Sequence, residues 1–200
     1  MAGWTTHQGR AVVLERDNID TDQLIPARFM SVPRADGYGP YLLHDLRRDA
    51  GGTLREDFPL NRHETVSVLV AGRNFGSGSS REAAVYALVD AGISAVLAPG
   101  FGDIFASNAV NNGLLPGVIS ETEHAALMAQ MDTVPHPVEI DVQARRAVVA
   151  GHALTFTLPE TWAAKLINGW DDIDLTQQHA PDIADYAAER KRMQPWCWPG

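Results

Sequence analysis

Residues 65–82 read TVSVLVAGRNFGSGSSRE, an apolar run that passes into a segment rich in glycine and serine. The run from Thr65 to Ala71 is rich in β-branched residues and predicts a buried strand. Residues 72–78, called the glycine turn below, predict a sharp bend because glycine adopts backbone conformations that other residues avoid. From Ser80 to Ala91, small apolar residues recur at helical spacing. A strand, a turn and a helix in this order indicate a layered α/β fold.

The rest of the chain extends this pattern in both directions. Downstream, the alternation of strand and helix continues at Ser94–Pro99, Asp103–Asn112, Leu115–Ile119 and Glu121–Met131. After that, three short strands are predicted at 138–142, 146–149 and 154–158, and we expect them to form a meander packed beside the α/β layer. Two helices are predicted to follow at 160–168 and 181–192. Upstream, residues 9–15 predict the first strand and residues 26–40 an irregular loop. We therefore expect one domain over residues 1–200, with a core at about 9–186 and an aromatic, proline-rich tail.

The charge balance and the cysteine count limit the possible partners. The chain has 16 Lys and Arg against 25 Asp and Glu, a net charge of −9, which disfavours nucleic acid and anionic membrane surfaces. Its single cysteine, Cys197, cannot form an internal disulfide or hold an iron–sulfur cluster alone. No secretory signal is visible, and no apolar run approaches the ~20 residues that span a bilayer. These features predict a cytoplasmic chain that binds neither nucleic acid nor membrane.

The segment from Gly76 to Arg81 predicts an anion-binding cradle. Glycines let the backbone approach a ligand, a helix start offers free N–H groups, and Arg81 adds a fork suited to a carboxylate or phosphate. Three common motifs are excluded: no Lys completes a phosphate-binding P-loop, no third glycine completes a dinucleotide fingerprint, and no serine has the glycines of a nucleophile elbow. From the residues alone, a plain glycine turn with a serine cap and a surface arginine is as good an interpretation as an anion-binding cradle.

The acidic segment, residues 17–22 (DNIDTD), is the second candidate site. Three carboxylates in six residues suit a metal ion, but the segment lacks the glycine and the terminal glutamate of a calcium-binding loop. The seven histidines include no pair with ligand spacing. We therefore predict local turns with solvated charges here, and no metal site in this chain.

Four blocks in order along the chain resemble one known family. They are DNIDTDQLIP at 17–26, GSSRE at 78–82, APGFGDIF at 98–105 with NNGLLP at 111–116, and LINGWDDIDLT at 166–176. Together they resemble the 3-isopropylmalate dehydratase small-subunit family, the detached swivelling domain of the aconitase superfamily. The resemblance covers about residues 9–186. It implies a three-layer β/β/α swivelling fold, of α/β class, with a mixed sheet.

The same resemblance implies a reaction and a partner. The family isomerises 2-isopropylmalate to 3-isopropylmalate by dehydration and rehydration in leucine biosynthesis. A large subunit, forming a heterodimer or heterotetramer with the small one, would carry a 4Fe-4S cluster that acts as a Lewis acid toward the departing hydroxyl. This chain would bind no cofactor of its own, and its ligand would be a small dicarboxylate.

Site residues follow from the motif matches, one position at a time. Ser79 matches the family serine that acts as the catalytic base on a proton alpha to a carboxylate. Arg81 matches the arginine that grips a substrate carboxylate, and Gly78 and Ser80 are further expected substrate contacts. Arg34 lies in the loop expected to read the substrate side chain. Asp22, together with Asp20, is expected to support the active site.

Three positions depart from the family pattern. Ser77 stands where cysteine is usual, Ala83 where histidine is usual, and Arg73 where glutamate is more usual. Ser79 and Arg81 are both retained, so the expected reaction class stands. The departures leave open another substituted malate, such as methyl- or dimethylmalate, and a non-catalytic anion-binding relative.

Overall fold

Strand β1 (Thr6–Leu14) organises the fold because its two halves pair in opposite senses. In the computed structural model, which describes residues 2–62, 65–132 and 134–198, residues 11–14 run parallel to β2 (Val68–Ala71) and residues 6–11 run antiparallel to β5 (His136–Asp141). The other strands of the described residues are β3 (Ala95–Ala98), β4 (Leu115–Val118), β6 (Arg146–Val149) and β7 (His152–Thr155). Together they form one mixed sheet in the order β4-β3-β2-β1-β5-β6-β7.

Helices connect and cover these strands. Three short ones follow β1: α1 (Thr21–Leu24), α2 (His44–Arg47) and α3 (Pro59–Arg62). The parallel strands alternate with α4 (Ala83–Asp90), α5 (Asp103–Asn111) and α6 (Glu121–Gln130). The C-terminal part holds α7 (Glu160–Asn168), α8 (Asp172–Gln177) and α9 (Ala180–Met193). The predicted alternation of strand and helix over residues 65–131 is confirmed.

Two hydrophobic clusters lie on opposite faces of the parallel strands. On one face, Val12 and Leu69 pack with Leu88 of α4. On the other face, Val70 packs with Ile140 and other residues of the meander strands β5–β7. The backbone of Thr157, just after β7, pairs with Val118 of β4, so the meander curves over this face. The result is a meander layer, a parallel layer and a helix layer, with the meander continuous with the sheet rather than merely beside it.

The structure departs from the expected helix bounds at two informative places. Helix α4 begins at Ala83 and not at Ser80, because the Arg81 N–H bonds back to the carbonyl of Ser79 in a tight turn. Helix α8 was not expected. Its cap, Asp171, accepts from the N–H of Ile173 and Asp174, which satisfies the free donors at the start of a helix. The last two residues of the predicted aromatic tail, 199 and 200, lie outside the described residues.

Gly76 is the point where the glycine turn meets helix α5. Its φ is +72°, and an added Cβ would lie 2.2 Å from Cγ of Phe105. We expect Gly76→Ala to lower the free energy of unfolding by about 2–5 kcal/mol, from backbone strain and overpacking together. Gly151 is a matched control because its φ is +82° and nothing lies within 4 Å of an added Cβ. Gly151→Ala should lower the free energy of unfolding by the backbone strain alone, about 1–2 kcal/mol. Chemical denaturation measures both variants, and equal losses in Gly76→Ala and Gly151→Ala would refute the packing argument.

Candidate functional site

The acidic segment lies against the glycine turn, although residues 23–71 separate them in sequence. The parallel pairing of β1 with β2 brings their carboxyl ends to the same sheet edge, where each strand runs into one of these segments. Backbone hydrogen bonds then join the two segments, from Gly76 N–H to Ile19 O (2.7 Å) and from Thr21 N–H to Ser77 O (2.9 Å). The two candidate sites of the sequence are therefore one site.

Thr21 fixes the position of Ser79. Thr21 is only 1% exposed, whereas Ser79 is exposed. The Ser79 N–H donates to Thr21 Oγ1 at 3.2 Å, and the two hydroxyl oxygens also lie 3.2 Å apart. Because Thr21 Oγ1 accepts from the N–H, its own proton is available to the Ser79 oxygen. The sequence analysis did not single out Thr21. The signal that could have identified it is a hydroxyl side chain between two carboxylates, Asp20 and Asp22.

We expect Thr21→Val to lower kcat about 5- to 30-fold, the effect of one lost hydrogen bond of about 1–2 kcal/mol. Valine has the shape of threonine, so the fold should be retained, while the Ser79 oxygen loses its hydroxyl donor and the Ser79 N–H loses its acceptor. Steady-state kinetics of the complex with a large subunit would measure the effect. Thr155→Val is the control, since Thr155 is an exposed residue of β7. A Thr21→Val enzyme with unchanged kcat would refute the positioning role.

Arg81 lies at the mouth of the site and is held there by Asp22. Its Nη1 donates to Asp22 Oδ1, and the Asp22 side chain is mostly exposed. An exposed ion pair of this kind contributes little stability. A substrate carboxylate can therefore take the place of the Asp22 carboxylate on the guanidinium at small cost.

The start of helix α4 offers further donors. Within the described part of the chain, no acceptor is found for the N–H groups of Ser80, Glu82 and Ala83. No serine side chain caps this helix, so the serine-capped turn left open by the sequence is not what forms. Gly78 has a φ of +100° and faces Thr21. Free N–H groups at a helix start favour an anion.

Asp20 has a local structural role. Its side chain accepts from the Gln23 N–H at 2.7 Å, and the Gln23 side chain accepts from the Asp20 N–H at 3.2 Å. This reciprocal pair caps helix α1. The carboxylate of Asp20 thus shapes the acidic segment that carries Thr21 and Asp22.

Arg34 lies apart from the other predicted site residues. Its guanidinium donates to both oxygens of Asp90, at 2.7 and 3.0 Å, and stacks 4.3 Å from the ring of Tyr86. Asp90 is the last residue of α4, and an eight-residue helix is about 12 Å long. The structure brings Ser79, Arg81 and Asp22 together at the start of α4 and places Arg34 at its other end.

A chain of side-chain hydrogen bonds leads from the site to the C-terminal helices. Glu82, next to Arg81, accepts from Asn112 at 2.9 Å, and the neighbouring Asn111 donates to Asp172 at 3.1 Å. The buried Lys165 donates to Asn111 at 3.0 Å and also to Asp172. The hydrogen bond from Lys165, followed by that from Asn111, lowers the pKa of the Asp172 carboxyl. The first residue of α8 is thereby linked to the start of α4.

The donor groups among the described residues do not fit an iron–sulfur cluster. Cys197 is exposed and its Sγ lies 3.8 Å from the side-chain oxygen of Gln194. In residues 2–62, 65–132 and 134–198, no three His, Cys, Asp or Glu side chains are grouped so as to hold a metal ion. Over the same residues, none of the helices has the length and apolar character needed to span a bilayer.

Comparisons with known proteins agree with the fold and the motifs. The Aconitase C-terminal domain family matches residues 1–122. The 3-isopropylmalate dehydratase small subunit of Shewanella baltica is 42% identical over 98% of this chain and 99% of its own length. That of Caulobacter vibrioides is 41% identical over 98% of both chains. The crystal structure of a 3-isopropylmalate dehydratase from Methanocaldococcus jannaschii matches with a TM-score of 0.65 and 28% identity, covering 90% of this chain and 99% of that one. This chain therefore belongs to the 3-isopropylmalate dehydratase small-subunit family, within the Aconitase C-terminal domain family.

Proposed function

We propose that this chain is the small subunit of a hydro-lyase that converts 2-isopropylmalate to 3-isopropylmalate in the cytoplasm. The observation that carries the proposal is the exposed Ser79 hydroxyl, held by the buried Thr21 beside the guanidinium of Arg81. Relatives over 40% identical across nearly the full length carry the name of this small subunit. The partner is a large subunit, in a heterodimer or heterotetramer.

Ser79 acts as the base in this proposal. Dehydration removes a proton from the carbon alpha to a carboxylate, while the hydroxyl leaves the neighbouring carbon. A serine hydroxyl is a weak base, so its deprotonated form needs stabilising hydrogen bonds. The hydroxyl of Thr21 donates one, and the free N–H groups at the start of α4 favour negative charge nearby.

Arg81 binds a substrate carboxylate in this proposal. A guanidinium presents two parallel N–H groups to a carboxylate, which fixes the orientation of the substrate as well as its position. Arg81 exchanges its hydrogen bond to Asp22 for the bond to the substrate carboxylate. Gly78 and Ser80 line the path by which the substrate reaches Arg81. The reacting carbon is then held near the Ser79 oxygen, which is the source of much of the rate gain in such sites.

In this proposal the large subunit supplies the cluster ligands, and the single exposed cysteine of this chain, Cys197, supports that division. The cluster supplies Lewis-acid chemistry when it is bound. The roles proposed for this chain are confined to proton transfer, carboxylate binding and orientation of the substrate. Each half of the site is therefore inactive alone.

A complementation experiment tests this function in a cell. A bacterial strain that lacks its own small subunit and keeps its large subunit requires leucine. Expression of this chain should restore growth without leucine, and expression of the Ser79→Ala variant should not. Failure of the wild-type chain to restore growth, while it co-purifies with the large subunit, would contradict the proposed substrate.

A further inference from the structure

A cavity of about 300 Å³ lies beside the end of α4 that is opposite to Ser79. Two residues of its wall, Val66 and Ile93, lie just before the amino ends of β2 and β3. The Ser79 site lies instead beyond the carboxyl end of β2, so the two are separate. The volume is at the lower end of the range for ligand sites, about 300–1,000 Å³, which indicates a small ligand.

This cavity combines one cation with an aliphatic wall. Of the described residues that line it, only Arg47 is charged. The apolar residues of the lining are Pro40, Leu42, Leu60, Val66, Ala91 and Ile93. Ala91 is exposed, whereas Leu42 and Ile93 are buried, so the cavity leads from the surface towards the core.

The guanidinium of Arg47 is half-buried and has only neutral partners. Its Nε donates to the side-chain oxygen of Asn61 at 2.8 Å, and its Nη1 makes a long contact of 3.4 Å with the carbonyl of Leu42. Asn61 is itself fixed, because it donates to the carbonyls of Arg47 and Arg55. No described acceptor bonds Nη2 of Arg47, and no described carboxylate forms an ion pair with it. A charge in such a place is normally paired, so Arg47 lacks a counter-charge.

Arg48 adds a second positive charge next to Arg47. Its Nη1 is buried and finds no hydrogen-bond partner among the described residues. Burial, followed by the charge of Arg48, lowers the pKa of Arg47. Two neighbouring arginines without carboxylate partners make this part of the surface locally positive, within a chain whose net charge is −9. Such a local field attracts a small anion.

We propose that this cavity, which we call the Arg47 cavity, binds a small carboxylate with a short branched aliphatic chain. A carboxylate accepts two parallel N–H groups from a guanidinium, and Arg47 can turn Nη1 and Nη2 to it by giving up only the long contact with Leu42. The aliphatic chain then covers Leu60 and Ile93. An inorganic anion would satisfy the charge but would leave this apolar wall exposed to water.

The test uses the full-length chain alone and does not depend on turnover. The probe is 3-methylbutanoate, and binding is followed by NMR chemical-shift titration of the isotope-labelled chain. The comparison ligands are 3-methylbutanamide, which has the same shape without the charge, and inorganic phosphate, which has charge without the chain. We expect a Kd of about 1 mM or below for the probe and affinities at least about 10-fold weaker for both comparison ligands.

Two variants change the cavity in different ways. Arg47→Gln removes the charge, and Ala91→Leu fills the cavity from its exposed side while it leaves Arg47 in place. We expect each to weaken probe binding at least about 10-fold, the loss of one charged hydrogen bond or of the space for the ligand. Arg190→Gln, at an exposed position of α9, is the matched control for the lost charge and should bind like the wild type.

Each outcome decides the inference. Probe binding that is weakened in Arg47→Gln and Ala91→Leu, with the thermal unfolding of both unchanged, would support it. Absence of binding at about 10 mM, tenfold above the expected Kd, would overturn it. Phosphate or the amide binding as tightly as the probe would overturn the ligand class. Binding that persists in both cavity variants and is lost in Arg81→Lys would place the carboxylate at the Ser79 site and also overturn the inference.

Discussion

The Ser79→Ala variant is expected to assemble with the large subunit normally and to lose turnover by about 10²- to 10⁴-fold, the usual contribution of a general base. Ser79 is exposed; its hydroxyl and N–H contact Thr21, and its carbonyl accepts from the Arg81 N–H. The backbone N–H that bonds Thr21 is retained in alanine. The loss should therefore fall on kcat while subunit affinity and thermal stability stay unchanged.

Ser77→Ala is the matched control for this variant. Ser77 lies in the same turn, and the contact that positions it uses its carbonyl, which alanine retains. Both variants should be assayed for turnover and for subunit affinity in the same preparation. A Ser79→Ala enzyme that keeps turnover near the wild-type level would remove Ser79 as the base.

The Arg81→Lys variant is expected to lose about 30- to 4,000-fold in kcat/KM, corresponding to 2–5 kcal/mol for an impaired carboxylate–guanidinium pair. Lysine keeps the charge but not the planar fork, so it cannot hold a carboxylate by two parallel bonds. Most of the loss should appear in KM, because the carboxylate is bound in the ground state as well as in the transition state.

Arg73→Lys is the corresponding control in the glycine turn. Arg73 is exposed and donates to both oxygens of Glu121, at 2.6 and 2.9 Å, which lowers the pKa of that carboxyl. This pair lies outside the Ser79 contacts, and we expect kcat/KM to change less than about fivefold, since surface pairs contribute about 0–1 kcal/mol. Equal losses in Arg73→Lys and Arg81→Lys would point to a general charge effect and not to a carboxylate contact.

Much of the fold could be predicted because its strongest signals are local. The β-branched run before the glycine turn and the alternation after it predict the parallel layer, and the α/β class with a mixed sheet is confirmed. Helix α8 is absent from the sequence prediction because its cap, Asp171, also fits a connection between two helices. The curved meander could not be predicted because the pairing of Val118 with Thr157 joins residues far apart in sequence.

The candidate site was predictable only in part. The resemblance assigns roles to Ser79 and Arg81 that remain predictions, and the structure adds Thr21 beside Ser79. Asp20 and Asp22 are alike in sequence, but the structure makes one a helix cap and the other the partner of Arg81. The ion pair of Arg34 with Asp90 depends on where α4 ends, which loop composition does not encode.

Turnover by the reconstituted pair of subunits tests the central claim most directly. The purified chain is mixed with a matching, cluster-loaded large subunit, and conversion of 2-isopropylmalate is followed against methyl- and dimethylmalate. We predict turnover only with both subunits present, a preference for isopropylmalate, and its loss in Ser79→Ala. A well-formed complex that turns over none of these substituted malates would contradict the claim that this chain supplies half of a hydro-lyase active site.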